Sequence, residues 1–408
     1  MIILALNCGS SSLKYKLYRW GKKETITKGM IERIGAGGPA TTHRQALEIV
    51  LSDLTNPKTG FIKNLNEISA VGHRVVHGGE KFKRSTLITE EVLEAIKAVQ
   101  DLAPLHNPPN IAGIEAAREV LPNIPQIAVF DTAFHQTMPE AAYLYAVPYE
   151  WYGMYGVRRY GFHGTSHLYV SRRAAVLMGK KPNEVNLITM HIGNGVSITA
   201  VKDGMSVDTS MGLTPLEGAV MGTRCGDIDP AIILFMIEKE GFYVEEIDTI
   251  LNKKSGLLGI TGRFNDRRDI DKAAEAGDER SKLAIVIEAY RLRKYIGAYS
   301  AALGRVDAVV LTAGAGERGA LLRERVLEGM ENMGLKLDRA RNRNAVTGDK
   351  ELLISTDDSP VKIWVIPTDE ELVFIEDVVA VLENRYESAD NFTYSFENPG
   401  YSPSKRND

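Results

Sequence analysis

Residues 2–14, IILALNCGSSSLK, constrain the fold more than any other stretch of the chain. They open with five consecutive apolar residues, too few to span a membrane and typical of a strand buried on both faces. Residues 13–18 alternate apolar side chains with Lys14 and Lys16, which predicts a second strand with one face in water. The intervening turn has small side chains, hydroxyls and backbone N–H groups that a phosphate can approach closely. Taken alone, the turn fits an ordinary Ser/Gly hairpin better than an anion site.

The same order of features returns in mid-chain. Residues 187–198, LITMHIGNGVSI, again run from a buried strand through a Gly/Asn turn into an alternating strand. Few residues are identical in the two stretches, but two phosphate-type hairpins at the start of two similar halves predict a duplicated fold. We expect a ligand to bind between the halves.

Size and charge narrow the class of protein. A chain of 408 residues with 44% hydrophobic and 25% charged residues is long enough for two domains of ordinary globular composition. A net charge of −4 and the lack of long basic runs argue against nucleic acid as a partner. We find no signal peptide and no apolar run long enough to cross a membrane. With two cysteines, Cys8 and Cys225, the sequence predicts a cytoplasmic enzyme without a disulfide framework.

Predicted strands and helices support the duplication. The order is βββαβαβ from the N-terminus, and it restarts near Leu187. We therefore predict an α/β protein with two duplicated domains, each a mixed sheet flanked by helices. The predicted divisions are an N-terminal domain of residues 1–149 completed by a helix at 372–386, a second domain of residues 150–371, and a polar tail at 387–408 that we expect to be disordered.

Two arginines are candidate anion ligands. Arg74 leaves a predicted buried strand, and Arg224 lies among glycines just before a helix that Asp229 and Pro230 predict. A guanidinium in a glycine-rich turn can bind a planar anion through two hydrogen bonds. The alternative for each arginine is a surface ion pair, which would not need the glycines.

Carboxylates and histidines suggest two kinds of metal site. Asp131 and Glu370 each follow a buried strand, and together with Asn7 they could hold a hydrated Mg²⁺, although each carboxylate alone fits a helix cap. The pairs His73/His77 and His163/His167 have the spacing of zinc ligands. Their strand and glycine context argues against zinc.

Residues 314–319, GAGERG, match a dinucleotide-binding fingerprint after a strand, and Asp338 lies where the ribose-binding acid would be expected. This match alone indicates an NAD-dependent oxidoreductase. The antiparallel opening of each half does not fit the doubly wound sheet of such enzymes, and this reading gives the N-terminal hairpin no role.

Five motifs together resemble the acetate kinase family. They are residues 7–14 (NCGSSSLK), 72–79 (GHRVVHGG), 130–136 (FDTAFHQ), 161–167 (GFHGTSH) and 222–226 (GTRCG). The similarity extends from residue 1 to about residue 385. It implies the two-domain fold of actin, sugar kinases and heat-shock chaperone ATPases, a homodimer, and reversible phosphoryl transfer from ATP to acetate that gives acetyl phosphate and ADP. The implied metal is Mg²⁺, with Mn²⁺ as an alternative.

The resemblance also assigns site residues. Asp131, His163 and Arg224 would be catalytic, Arg74 would bind the substrate carboxylate, and Asn7 and Glu370 would hold the metal. Acetate is already an anion near neutral pH, so we expect Asp131 to orient the metal or a side chain rather than to remove a proton. The residues implied to bind ATP are Ser12, Lys14, His191, Ile192, Gly193, Asn194, Gly195, Asp266, Arg267, Arg268, Gly314, Ala315, Gly316, Glu317 and Arg318.

Substrate size is implied by a methyl pocket. Its residues would be Val76, Leu105, Phe162 and Pro215, and valine at position 76 predicts acetate as a better substrate than propionate. A short-chain acyl kinase with propionate as substrate remains the nearest alternative. A more distant one is a nucleotide-gated binding module that keeps the fold without turnover. The chain departs from the family pattern at Arg318 and Gly319, which leaves its nucleotide preference open.

Overall fold

The computed structural model describes residues 1–104, 106–346, 348, 350–387 and 392–403. Two compact units form: unit 1 is Met1–Gln136 with Asp369–Tyr394, and unit 2 is Thr137–Thr368 with the described residues from Ser395 onward. The chain therefore leaves unit 1 at Gln136 and returns at Asp369, whereas the sequence placed these divisions at 149/150 and 371/372.

Each unit contains a six-stranded mixed sheet. In unit 1 the order is β3-β2-β1-β4-β6-β5, and in unit 2 it is β9-β8-β7-β10-β12-β11, so the two sheets have the same topology. The strands are β1 (Ile2–Gly9), β2 (Ser12–Arg19), β3 (Glu24–Glu32), β4 (Ile68–Val75), β5 (Thr86–Leu87), β6 (Gln126–Phe130), β7 (Asn186–Ile192), β8 (Val196–Lys202), β9 (Met205–Thr209), β10 (Ala308–Thr312), β11 (Leu352–Leu353) and β12 (Lys362–Val365).

Strand directions also repeat. The first three strands of each sheet are antiparallel, the first, fourth and sixth are parallel, and the fifth is antiparallel to the sixth. The prediction of two duplicated α/β domains is confirmed, and the antiparallel openings exclude a doubly wound parallel sheet.

Helices flank both sheets. They are α1 (His43–Leu54), α2 (Glu90–Ala98), α3 (Asn107–Val120), α4 (Glu140–Tyr143), α5 (Tyr149–Tyr155), α6 (Gly164–Leu177), α7 (Ala231–Glu240), α8 (Val244–Lys253), α9 (Gly256–Thr261), α10 (Arg267–Glu275), α11 (Glu279–Leu303), α12 (Ala313–Arg318), α13 (Ala320–Leu327), α14 (Arg339–Asn344) and α15 (Glu370–Leu382). In the described parts of the chain, none is both long and apolar enough to cross a bilayer.

Strand β1 explains why the chain begins with an apolar run. Leu4 and Leu6 pack with α1 and α3 on one face of the first sheet, and Ile3 packs with α15 on the other face. Both faces of β1 are therefore dry, as the five consecutive apolar residues predict.

Part of the C-terminal tail is ordered. Tyr394 and Phe396 are almost completely buried, and residues 395–397 form a 3₁₀ helix. The carbonyl of Phe396 accepts a hydrogen bond of 2.6 Å from the buried guanidinium of Arg173 in unit 2. The prediction of a disordered tail is wrong for residues 392–403, because their aromatic side chains find a core to pack against; residues 388–391 and 404–408 lie outside the described residues.

Candidate active site

Three predicted site residues lie at one edge of the first sheet. Strands β1, β4 and β6 are parallel neighbours, so their carboxyl ends meet at the same edge. Asn7 lies near the end of β1, Arg74 near the end of β4, and Asp131 directly after β6.

Arg74 and Asp131 form a bidentate ion pair. Nε of Arg74 lies 3.0 Å from Oδ1 of Asp131, and Nη2 lies 2.7 Å from Oδ2. The Asp131 side chain is only 4% exposed, whereas that of Arg74 is 34% exposed, so the arginine keeps access to solvent. Attraction to Asp131 raises the pKa of the Arg74 guanidinium, and Glu370 adds a smaller effect in the same direction.

Two buried asparagines hold the loop that follows Arg74. The Asn110 amide accepts from the backbone N–H of Val76 and donates to the carbonyl of Cys8, at 3.0 and 2.7 Å. Asn107 accepts from the N–H of His77 at 3.0 Å and donates to its carbonyl at 2.9 Å. Both asparagines belong to the first turn of α3, where they flank Pro108 and Pro109. Their polarity inside a buried helix end is the signal that could have found them.

The other predicted site residues of unit 1 lie on the N-terminal hairpin and at the start of α15. Asn7 pairs with Lys14 and Gly9 with Ser12 across β1 and β2, and Lys14 is exposed. Glu370 is the first residue of α15, whose N-terminus is capped by the carboxylate of Asp369 at 3.0 Å.

The donors present fit magnesium better than zinc. Asn7 and Glu370 offer oxygen atoms, which are the ligands of Mg²⁺, and Mg²⁺ commonly retains waters and binds substrate phosphates. Among the described residues there is no group of three His, Cys, Asp or Glu side chains that could hold a metal without further ligands. In the two histidine pairs with zinc-like spacing, His73 bonds to Gln126 at 2.7 Å, and His167 bonds to Thr189 and Ser197.

In unit 2, His163 is held on two sides. Its Nδ1 lies 2.8 Å from the hydroxyl oxygen of Ser197, and its ring stacks on His191 with 4.1 Å between centroids. Nδ1 of His191 is in turn 2.8 Å from the hydroxyl of Ser166. The backbone of His163 is left-handed, with φ of 57°, a strained conformation of the kind found at functional sites.

Arg224 approaches the same glycine turn. A Cβ built on Gly195 would lie 3.4 Å from Nη1 of Arg224 and 3.4 Å from Cε1 of His163, so these groups converge on Gly195. Arg224 donates to the carbonyl of Pro215 at 3.2 Å, and within the described chain it pairs with no carboxylate. Burial lowers the pKa of this guanidinium. A half-buried cation without a counter-ion is a candidate anion ligand.

A cavity of about 400 Å³ in unit 2 is lined by eight of the predicted ATP-binding residues. They are Gly193, Asn194, Asp266, Arg267, Arg268, Gly314, Ala315 and Arg318. Its wall also includes apolar residues that sequence reasoning missed, because helical apolar residues look alike whether they line a core or a pocket: Leu257, Ile270, Ile285 and Leu322.

The cavity wall is braced by a buried ion pair. Arg267 donates to the carbonyl of Gly193 at 2.7 Å and pairs with Glu288, whose side chain is 3% exposed, with Nε 2.7 Å from Oε1. Glu288 lies on α11, and no sequence motif identified it as a residue of the candidate site. At the surface, Arg268 pairs with Asp266 and lowers the pKa of that carboxyl to about 2.

The remaining predicted ATP residues of unit 2 do not line this cavity. Glu317 is buried and accepts hydrogen bonds from the N–H groups of Ala313 and Thr368, at 3.0 and 3.3 Å, so it braces the ends of β10 and β12. Gly316 packs against β7 and β10, Ile192 is a core residue of β7, and His191 and Gly195 belong to the His163 cluster.

The residues of the predicted methyl pocket are divided between the units. Val76 is buried in unit 1, whereas Phe162 is buried and Pro215 half-buried in unit 2. Leu105 lies outside the described residues.

Comparison with known proteins identifies the family. The model of the acetokinase family matches residues 2–376, which is most of the chain. The chain belongs to the acetokinase family. An acetate kinase from Geobacter metallireducens is 64% identical over 413 aligned residues, which cover 97% of this chain and 98% of that protein.

Solved acetokinase structures agree with the fold. The crystal structure of Porphyromonas gingivalis acetate kinase has a TM-score of 0.89 and 46% identity, over 93% of this chain and 99% of that one. A propionate kinase from Francisella tularensis has a TM-score of 0.85 and 43% identity, over 92% of this chain and 98% of that one. The predicted family is confirmed, and the enzyme class, a phosphotransferase acting on a carboxylate, is confirmed with it. This membership decides against the dinucleotide reading of residues 314–319.

Proposed function

We propose that this acetokinase transfers the γ-phosphate of ATP reversibly to acetate, forming acetyl phosphate and ADP. The observation that carries the proposal is Arg224, a half-buried guanidinium that pairs with no carboxylate among the described residues and converges with His163 on the Gly195 turn. Such a group stabilises negative charge that arrives with a ligand, and a phosphoryl group in transfer spreads charge over its oxygens.

The adjoining nucleotide cavity supports ATP as the donor. Backbone groups of Gly193 and Gly314 line it, where a phosphate chain can approach without meeting a side chain. The apolar wall at Leu257 and Ile270 suits the face of a base. Lys14 and Ser12, on the N-terminal hairpin, would contact the terminal phosphates.

In unit 1 we assign acetate to Arg74. Its guanidinium remains partly exposed while Asp131 fixes its orientation, so it can bind a carboxylate with its outer edge. An acetate oxygen then forms a bond to the γ-phosphorus as the bond to the bridging oxygen of ADP breaks. The step moves no proton, so Asp131 serves as a positioning group rather than a base.

We assign Mg²⁺ to Asn7 and Glu370, with Mn²⁺ as an alternative. The metal would neutralise phosphate charge. The charge of Glu370 also contributes to the raised pKa of the Arg74 guanidinium, which supports a role for Glu370 near the proposed acetate site.

Acetate is preferred to propionate in this proposal. Val76 is buried, and its backbone N–H is tied to Asn110, so the loop that carries it cannot easily retreat to admit another methylene. One methylene discriminates by about 1–3 kcal/mol, so propionate is expected to be a poorer substrate that is still used.

We further propose a homodimer that works in the cytoplasm, where ATP is available. Helix α7 has no buried residue, and Leu234 and Phe235 are 71% and 56% exposed. An apolar helix in this state favours a second copy as its partner. Light scattering should report a dimer, Leu234→Glu should shift it toward monomer, and the exposed control Met30→Glu should not.

A hydroxamate assay tests the activity directly. With ATP, Mg²⁺ and acetate, hydroxylamine should trap acetyl phosphate as acetyl hydroxamate. Arg224→Gln should lower the rate by about 100-fold or more, because a donor to the phosphoryl oxygens is lost. Arg19→Gln removes an arginine from a surface pair with Glu24 and should leave the rate unchanged. A wild-type protein that yields no hydroxamate would refute the proposal.

A further inference from the structure

The start of α6 meets the second sheet through buried hydroxyl and imidazole groups. His163 is the N-cap residue of α6 and His167 lies in its first turn, and α6 packs on β7 and β10. From the sheet come Thr189 on β7 and Ser197 on β8, and Ser197 stands directly opposite His191 in the strand register.

These side chains form an unbroken chain of short hydrogen bonds. The Thr189 hydroxyl lies 2.7 Å from Nδ1 of His167, and Nε2 of His167 lies 2.7 Å from the Ser197 hydroxyl. The Ser197 hydroxyl lies 2.8 Å from Nδ1 of His163. Thr189, His167 and Ser197 are completely buried, so water does not compete for these bonds.

The number of available protons decides in which direction these hydrogen bonds are donated. Ser197 has one proton and two imidazole neighbours. If its hydroxyl accepted from both, its own proton would have no acceptor among the described residues, so it donates to one histidine and accepts from the other. If the bonds ran from His163 toward Thr189, the Thr189 hydroxyl proton would have no acceptor among the described residues, which costs about 1–3 kcal/mol at a buried site. When the bonds run from Thr189 to His163, each of the three buried donors, on Thr189, His167 and Ser197, has an acceptor. Thr189 thus donates to His167, His167 to Ser197, and Ser197 to Nδ1 of His163.

The consequence for His163 is a fixed tautomer. Because Nδ1 accepts from Ser197, the neutral ring carries its proton on Nε2. That nitrogen faces the Gly195 turn, since a Cβ on Gly195 would lie 3.6 Å from it and 3.4 Å from Nη1 of Arg224.

We propose that Ser197, backed by His167 and Thr189, is a positioning residue that keeps the Nε2–H donor of His163 aimed at the phosphoryl group in transfer. The role of this donor rests on the proposed phosphoryl transfer. Ser197 itself contacts no substrate in this proposal, and it acts by fixing the tautomer and the orientation of His163.

A kinetic test separates this role from simple support of the sheet. Ser197→Ala should lower kcat by about 10- to 100-fold and leave KM for ATP and acetate within about threefold, because binding groups are untouched. The matched control is Thr199→Val on the same strand, which removes a buried hydroxyl that bonds to Thr209 at 2.8 Å and does not touch His163. Unchanged kcat in Ser197→Ala, or an equal loss in the control, would overturn the proposal.

Histidine NMR provides a test that does not depend on turnover. In free wild-type protein with ¹⁵N-labelled imidazoles, at about pH 8 where histidine is ordinarily neutral, the His163 proton should be found on Nε2. The variant His163→Asn assigns the signal. In Ser197→Ala the same ring should exchange between both tautomers. A wild-type proton on Nδ1 overturns the inference even if Ser197→Ala does not fold, whereas failure to form acetyl phosphate refutes only the proposed function.

Discussion

Both carboxylate oxygens of Asp131 accept hydrogen bonds from the guanidinium of Arg74, although the two residues lie 57 positions apart in the sequence. The aspartate lies at the end of one strand and the arginine at the end of its parallel neighbour, so the sheet itself sets the geometry. A carboxylate bound in this way has its lone pairs directed at the guanidinium, which leaves it poorly placed to take a proton from a ligand.

We predict that Asp131→Asn lowers kcat/KM for acetate at every pH. The amide cannot form the same charged pair, and loss of one partner of a close charge pair costs about 2–5 kcal/mol. The loss should therefore reach at least about 30-fold. A pH–rate profile checks this: a shifted profile with an unchanged plateau would instead indicate proton transfer by Asp131. The companion variant Arg74→Lys keeps the charge but not the planar fork, so it should mainly raise KM for acetate.

Val76→Ala should broaden acyl specificity. Removing two methyl-size groups beside the predicted acetate methyl should raise the ratio of kcat/KM for propionate to that for acetate by about tenfold. Val92→Ala, at a half-buried position on α2, provides a control for general loosening of unit 1. An unchanged ratio in Val76→Ala would mean that another residue limits substrate length.

Glu288→Gln should weaken ATP binding. Without the carboxylate, Arg267 loses its buried counter-ion and no longer holds the Gly193 carbonyl firmly. We expect KM for ATP to rise by about tenfold, equal to about 1.4 kcal/mol, while KM for acetate stays near the wild-type value. Thermal unfolding should also occur at lower temperature, because breaking one side of a buried pair is costly. Glu279→Gln, at the exposed start of the same helix, should change neither quantity.

Asp377 should make stability depend on pH. Its carboxyl is buried and bonds to the hydroxyls of Ser85, Tyr386 and Tyr394 at 2.6, 3.2 and 2.8 Å, and burial raises its pKa from 3.8 to about 7. The folded protein therefore holds a proton that the unfolded chain releases above about pH 4, so this contribution to stability is full at low pH and is lost as the pH rises through about 7.

The variant Asp377→Asn removes that titration. The fall in Tm between about pH 4 and pH 7 should be smaller in this variant than in the wild type, as measured by calorimetry. The exposed control Asp101→Asn should keep the wild-type fall. If Asp377→Asn and the wild type lost the same Tm over this interval, the titration would belong to other groups.

The repeated strand–hairpin pattern predicted the duplicated fold because alternation of apolar residues is a local property. Strand β1 is buried on both faces and β2 on one face, and the order of apolar and polar residues within each strand predicts this difference. For the tail after Arg385, the same reasoning from local composition gave a wrong prediction. Its composition is polar, but Tyr394 and Phe396 find buried positions that composition cannot reveal.

The sequence by itself determined the two similar α/β halves, the acetokinase motifs and the residue types at the candidate site. Only the tertiary structure decided how those residues are used: that Asp131 holds Arg74, that Glu288 holds Arg267, and that Ser197 links His167 to His163. The physical reason is that hydrogen bonds and ion pairs depend on ångström-scale distances. Those distances arise from strand order and from helix packing between segments far apart in the chain, and no local pattern encodes them.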